Sequence, residues 1–201
     1  MRNSKVTKMV QMAILIAIIV LMAFTPIGFI RTAGLEIQLI MIPVVIGAMI
    51  LGPAAGALFG FVFGMLSFFQ CFGMSPFGAV LLGINPFLTF VVCVPTRTLA
   101  GFLSGLVFKL LKKVDKTKLI CYFVGGLAGA VFNTIFFMST LMLFFWNTDY
   151  IQSLNADGLN VFAFVVAFVG LNGLLEWPAT CIAGGLVSKA VHKYVKTSDA
   201  A

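Results

Sequence analysis

Charge is scarce in this sequence. Its 201 residues include 13 Lys or Arg, 6 Asp or Glu and a single His. So few ionisable groups leave general acid–base catalysis almost without candidates. No GxxxxGK[ST] phosphate loop is present, and Gly184-Gly-Leu-Val-Ser-Lys189 lacks the required spacing and falls on a helical stretch. HExxH, GxSxG and paired-carboxylate arrangements are missing as well. The four cysteines, Cys71, Cys93, Cys121 and Cys181, show neither CxxC nor Cys/His metal spacing. They read as small apolar packing residues, with a Cys71–Cys93 bridge as the one covalent option. The expectation is a protein with no catalytic residues, no metal and no cofactor. Nor is a cleavable leader expected, because the first apolar run has about the length of a full span.

What the sequence has instead is apolar length. It is 61% hydrophobic with a mean hydropathy of +1.13, more than a soluble domain hides. The runs are continuous rather than alternating, which favours spanning helices over barrel strands. Basic residues collect at Arg2, Lys5 and Lys8, at Lys109, Lys112, Lys113, Lys116 and Lys118, and at Lys189, Lys193 and Lys196. The positive-inside rule makes these clusters cytoplasmic. The net charge of +7 therefore reports topology, and no nucleic-acid partner is implied.

Taken in order, the chain reads as one all-α membrane domain, residues 1–201, with six transmembrane helices and both termini cytoplasmic. The spans are expected at about 8–29, 37–51, 54–72, 95–113, 119–145 and 161–194. Gly52-Pro53 stops the second span and starts the third, giving a tight hairpin. Residues 73–94 are apolar but broken by Gly73, Pro76, Gly78, Gly83 and Pro86, and read as a partly buried outer loop. Small residues recur at helix-contact spacing: Ala13 and Ala17; Gly56, Gly60 and Gly64; Gly101 and Gly105.

Arg97 stands out inside this apolar background. A cation in hydrocarbon costs about 2.5 kcal/mol or more, so it usually faces a protein-lined cavity. Pro95 suits the first position of a helix, which would put Thr96 and Arg97 in a first turn whose free N–H groups favour an anion. The bland alternative is an arginine that snorkels or pairs with Glu176. Three further polar residues sit far from helix ends: Asn133, and Asn172 and Glu176, which share a face at i and i+4. Asn85 and Phe77 join the candidates from the 73–94 segment. Phe87, Phe90 and Trp146 are further candidates for pocket walls, and Trp177-Pro178 for a kink beside the polar pair.

The order of these pieces resembles the substrate-binding S component of an energy-coupling factor (ECF) vitamin transporter, over nearly the whole chain. The resemblance rests on the six-span length, on Ala13 and Ala17, and on the run from Ile42-Pro-Val-Val-Ile-Gly-Ala to Gly60. Ser75-Pro-Phe77, Asn85-Pro86 and the Asn172-xxx-Glu176 face complete it. The Ile42 run and Pro95-Thr-Arg97 look most like the pantothenate-type (PanT-like) members. The resemblance implies a vitamin pocket near the outer face, lined by Arg97, Asn133, Asn172 and Glu176. It also implies docking through Ala13 and Ala17 on a transmembrane coupling subunit (EcfT), with two ATPase subunits hydrolysing the ATP. The implied location is a bacterial cell membrane.

Ligand chemistry agrees with that reading. Pantothenate carries one carboxylate for Arg97, and an amide and hydroxyls for Asn133 and Asn172. Glu176 would instead suit a cation such as thiamine, and the phenylalanines would suit riboflavin. A stand-alone channel or secondary transporter would require more coupling-ion chemistry than these sparse acids offer. An assembly protein would leave Arg97 and Glu176 as a mutual pair.

Overall fold

The computed structural model describes residues 4–25, 28–32, 35–115, 119–155 and 158–199, without the side chains of 4–5, 29–32, 35–37, 171–172 and 193–199. Helix α1 (Ser4–Phe24) is basic in its first turns and continuously apolar from Met12 onward. The connection after it is ordered. It forms an antiparallel ribbon of β1 (Phe29–Thr32) and β2 (Leu35–Gln38), with Phe29 opposite Gln38 and Arg31 opposite Glu36.

Helix α2 (Met41–Leu51) has 11 residues, eight of them buried. At about 1.5 Å per residue it rises roughly 16 Å, about half the thickness of a hydrocarbon core. Its apolar character runs all round because neighbours pack on every side. Gly52 then turns the chain with φ of 99°, a conformation that suits glycine, and Pro53 opens α3 (Pro53–Gln70).

Residues 73–94 differ from the expected loop. They form α4 (Pro76–Ile84) and the first third of α5 (Pro86–Val114). Both helices start on the same device, a side-chain cap followed by proline. Ser75 Oγ accepts from Gly78 N–H at 3.2 Å, and Asn85 Oδ1 accepts from Leu88 N–H at 3.1 Å. Pro95 therefore does not begin a helix; it lies inside α5 with its ring exposed. Three successive carbonyls after the one that Pro95 leaves free, those of Val92, Cys93 and Val94, accept from the side chains of Thr96, Arg97 and Thr98. These bonds line the break with extra donors.

The chain closes with α6 (Ile120–Phe145), the short α7 (Asp149–Leu154) and α8 (Val161–Asp199). Helix α8 bends by 54° between Gly170 and Gly173, upstream of Trp177-Pro178. By length and composition α1, α3, α5 and α6 can cross a membrane, and α8 makes a fifth if its two arms form one span. Six spans are not reached on that criterion, because α2 is too short.

Helices α3 and α5 touch backbone to backbone. A methyl group on Gly56 would meet the Gly101 carbonyl at 2.3 Å, and one on Gly60 would meet the Arg97 carbonyl at 2.2 Å. The glycine rows thus serve packing within the chain. One core cluster joins α1, α2, α3 and α5 through Ile19, Val44, Phe59, Phe63 and Phe108. A second holds α4, α6, α7 and α8 together through Leu81, Leu141, Ile151 and Phe164. Cys71 and Cys93, the pair considered for a bridge, are buried and carry no disulfide.

Candidate functional site

The two clusters meet at Arg97, which is 2% exposed. Position 97 falls on the α5 face that packs against α3, so the side chain lies inside the bundle. Its Nη1 donates to Cys93 O at 3.1 Å and its Nη2 to Gln38 Oε1 at 3.3 Å. The guanidinium carbon stands 4.8 Å from the Phe63 ring centre and 5.2 Å from that of Phe137, within cation–π range. Its Nε has no hydrogen-bond partner, and among the described residues Arg97 forms no ion pair. Within ion-pair distance Arg97 meets only neutral acceptors and ring faces, while the buried Glu176 carboxyl acts on it from further off, so its compensation is partial and favours an incoming anion. The helix-start anion site expected at Thr96 and Arg97 is absent, because α5 is continuous there. The Thr96 hydroxyl is spent on the Val92 carbonyl instead.

Beside Arg97 lies a cavity of about 50 Å³. Gln38 of β2, Ser67 and Gln70 of α3, Phe77 of α4, Cys93 of α5 and Phe137 of α6 contribute to its wall. Among the described residues no acidic side chain lines it. That volume holds one or two waters, whereas sites for drug-sized ligands occupy about 300 Å³ or more. A vitamin-sized ligand therefore fits only if the wall moves. Phe77 lies against Tyr150 and Phe168, at 5.9 and 6.3 Å between ring centres, so it ties the cavity to the second cluster.

The other sequence candidates fall in different places. Asn133 is 5% exposed with its Oδ1 unpartnered, one turn along α6 from Phe137. Glu176 is 6% exposed with Oε1 unpartnered. The Arg97 charge, the Asn133 amide and the Gln38 backbone N–H all act on its carboxylate. The Asn172 side chain lies outside the described residues. Asn85 caps α5 and does not line the cavity. Phe87 is 73% exposed and faces outward, while Phe90 packs edge-on against Phe68. Ala13 and Ala17 are exposed on α1.

Sequence reasoning missed Gln38, Ser67 and Gln70. A signal for two of them was present, because Ser67 and Gln70 are the only polar side chains in the 18 residues of α3.

The family model for the substrate-specific component of ECF transporters matches residues 7–183, and the chain belongs to that family. It is accordingly a multi-pass membrane component of a transport system that binds substrate, and not an enzyme. Among its relatives is the pantothenic acid transporter PanT of Lactococcus lactis subsp. cremoris (strain MG1363). The two are 30% identical over 161 residues, which cover 74% of this chain and 79% of the relative.

Proposed function

We propose that this chain is the high-affinity binding subunit of an ATP-driven ECF-type vitamin importer in a bacterial cell membrane, and that its vitamin is pantothenate. One observation carries the substrate: among the described residues Arg97 is a buried cation with no ion pair, beside a cavity that none of their acidic side chains lines. Such a site takes a carboxylate, which guanidinium binds in bidentate fashion. Asn133, one turn from the lining Phe137 and off the wall of the cavity as it stands, is reached when the wall moves, and with Asn172 would supply amides for the rest of the molecule. Glu176 is not among the residues that line the cavity, which supports an anion over a cation such as thiamine. The 30% identity to a pantothenic acid transporter points the same way.

In this reading the chain passes the bilayer six times. The buried α2 completes a crossing together with its flanking turns, and both ends face the cytoplasm. ATP hydrolysis takes place in two separate ATPase subunits, reached through a transmembrane coupling subunit. The test is a calorimetric titration of the purified full chain with pantothenate, riboflavin and thiamine. Pantothenate is expected to bind, and Arg97→Ala to weaken it by about 100-fold or more, the loss of a charge-assisted pair. Tight binding of thiamine or riboflavin in place of pantothenate would overturn the substrate assignment. Unaltered pantothenate binding by Arg97→Ala would overturn the site.

A further inference from the structure

The wall facing the cavity from α3 has a polarity that the proposed function leaves unused. Helix α3 is apolar for four turns and becomes polar only at Ser67 and Gln70, where it borders the cavity. Both residues are more than nine-tenths buried. Ser67 Oγ has no hydrogen-bond partner. A hydroxyl normally finds a partner when buried, since leaving it unpaired forfeits its hydration with nothing in return. The Gln70 amide nitrogen donates to the Ala23 carbonyl at the end of α1, which fixes the direction of that side chain.

The positions along the helix set an order. Phe63 lies under the Arg97 guanidinium. Ser67 is one turn further along α3, and Gln70 almost two, which at 1.5 Å per residue is roughly 6 and 10 Å. Helix α5 runs antiparallel to α3 and carries Lys109, Lys112 and Lys113 at its far end. Ser67 and Gln70 therefore lie on the side of Arg97 away from that basic end.

We propose that Ser67, oriented beside Gln70, reads a hydroxyl of the ligand, so that the cavity takes a short hydroxylated carboxylate with its anion innermost at Arg97. The neutral end lies outward along α3. This inference rests on the ligand site proposed above and adds the direction of binding and a specificity residue. Pantothenate suits the spacing, because a β-alanine amide separates its carboxylate from its hydroxyls. A carboxylate lacking a hydroxyl at that distance forfeits the Ser67 contact, and an uncharged amide forfeits Arg97.

The test compares pantothenate with its analogue lacking both hydroxyls, by calorimetry on the full chain in detergent, for the parent, Ser67→Ala and Arg97→Ala. Ser67→Ala removes only an oxygen, so the fold is expected to survive, and a thermal melt of the unliganded variant checks this. Ser67→Ala is expected to weaken pantothenate about tenfold, the worth of one buried hydrogen bond, and to leave the dideoxy analogue unchanged. Arg97→Ala is expected to weaken both ligands alike. An equal loss on both ligands in Ser67→Ala, or no loss on either, overturns the hydroxyl contact while the proposed function stands. If the parent chain does not bind pantothenate at all, the proposed function itself fails.

Discussion

Arg97 contributes more than a charge to this site. Its two terminal nitrogens point in different directions, one to the Cys93 carbonyl and one to Gln38, and its plane meets two aromatic rings. A lysine keeps the charge but has no planar fork and no plane to lay against Phe63 and Phe137. Arg97→Lys is therefore expected to lower carboxylate affinity at least about tenfold while the chain still folds, as calorimetry alongside a thermal melt would show. Affinity equal to the parent's would mean that only a point charge is needed there. The sequence made Arg97 visible because no other cation stands in the middle of an apolar run. It made Ser67 and Gln70 visible only as ordinary polar residues near a helix end. Gln38 carried no signal, since its bond to Arg97 joins a strand to a helix 59 positions away, a pairing that no local pattern records.

Elements show where one rule applied twice gives two answers. Proline at the first turn of a helix fits both Pro86 and Pro95. Only Pro86 follows a residue whose side chain reaches back to cap the turn, and α5 begins there. Asn85→Ala should cost about 1 kcal/mol of stability, the usual worth of such a cap, and lower the melting temperature without abolishing binding. The α3–α5 contact is less forgiving. With the Arg97 carbonyl 2.2 Å from where a Gly60 methyl would sit, the helices must move apart to admit it. Gly60→Ala is expected to destabilise the chain by about 1–3 kcal/mol and to weaken ligand binding, because the same displacement carries Arg97 away from Phe63. Normal binding with a normal melt would mean that the two helices slide past each other at no cost. The glycine spacing was legible in the sequence, and so was its use in helix packing. The identity of the facing backbone became visible only once α3 and α5 were laid side by side.

At the scale of the whole molecule, the cavity and α1 occupy separate parts of the bundle. Walls of the cavity come from β2 and from α3 to α6, and α1 touches one lining residue directly, through the bond from Gln70 to the Ala23 carbonyl. Below Ala23, α1 buries Ile19 against the core but leaves Met9, Val10, Ile14, Ile18 and Leu21 exposed, and Ala13 and Ala17 with them. Two alanines one turn apart on an exposed apolar face let another helix approach closely. A coupling subunit would need such a surface, and a ligand would not. Tryptophan at either position fills the approach and leaves the cavity wall untouched. Ala13→Trp and Ala17→Trp are expected to abolish vitamin uptake in cells that contain the complete transporter. The purified variants should bind pantothenate within about twofold of the parent, an effect well under 1 kcal/mol. Uptake at parental rates would show that the partner docks elsewhere. Loss of binding by both purified variants would show that this face of α1 packs within the chain in the bilayer, and the separation of binding from coupling would fail with it.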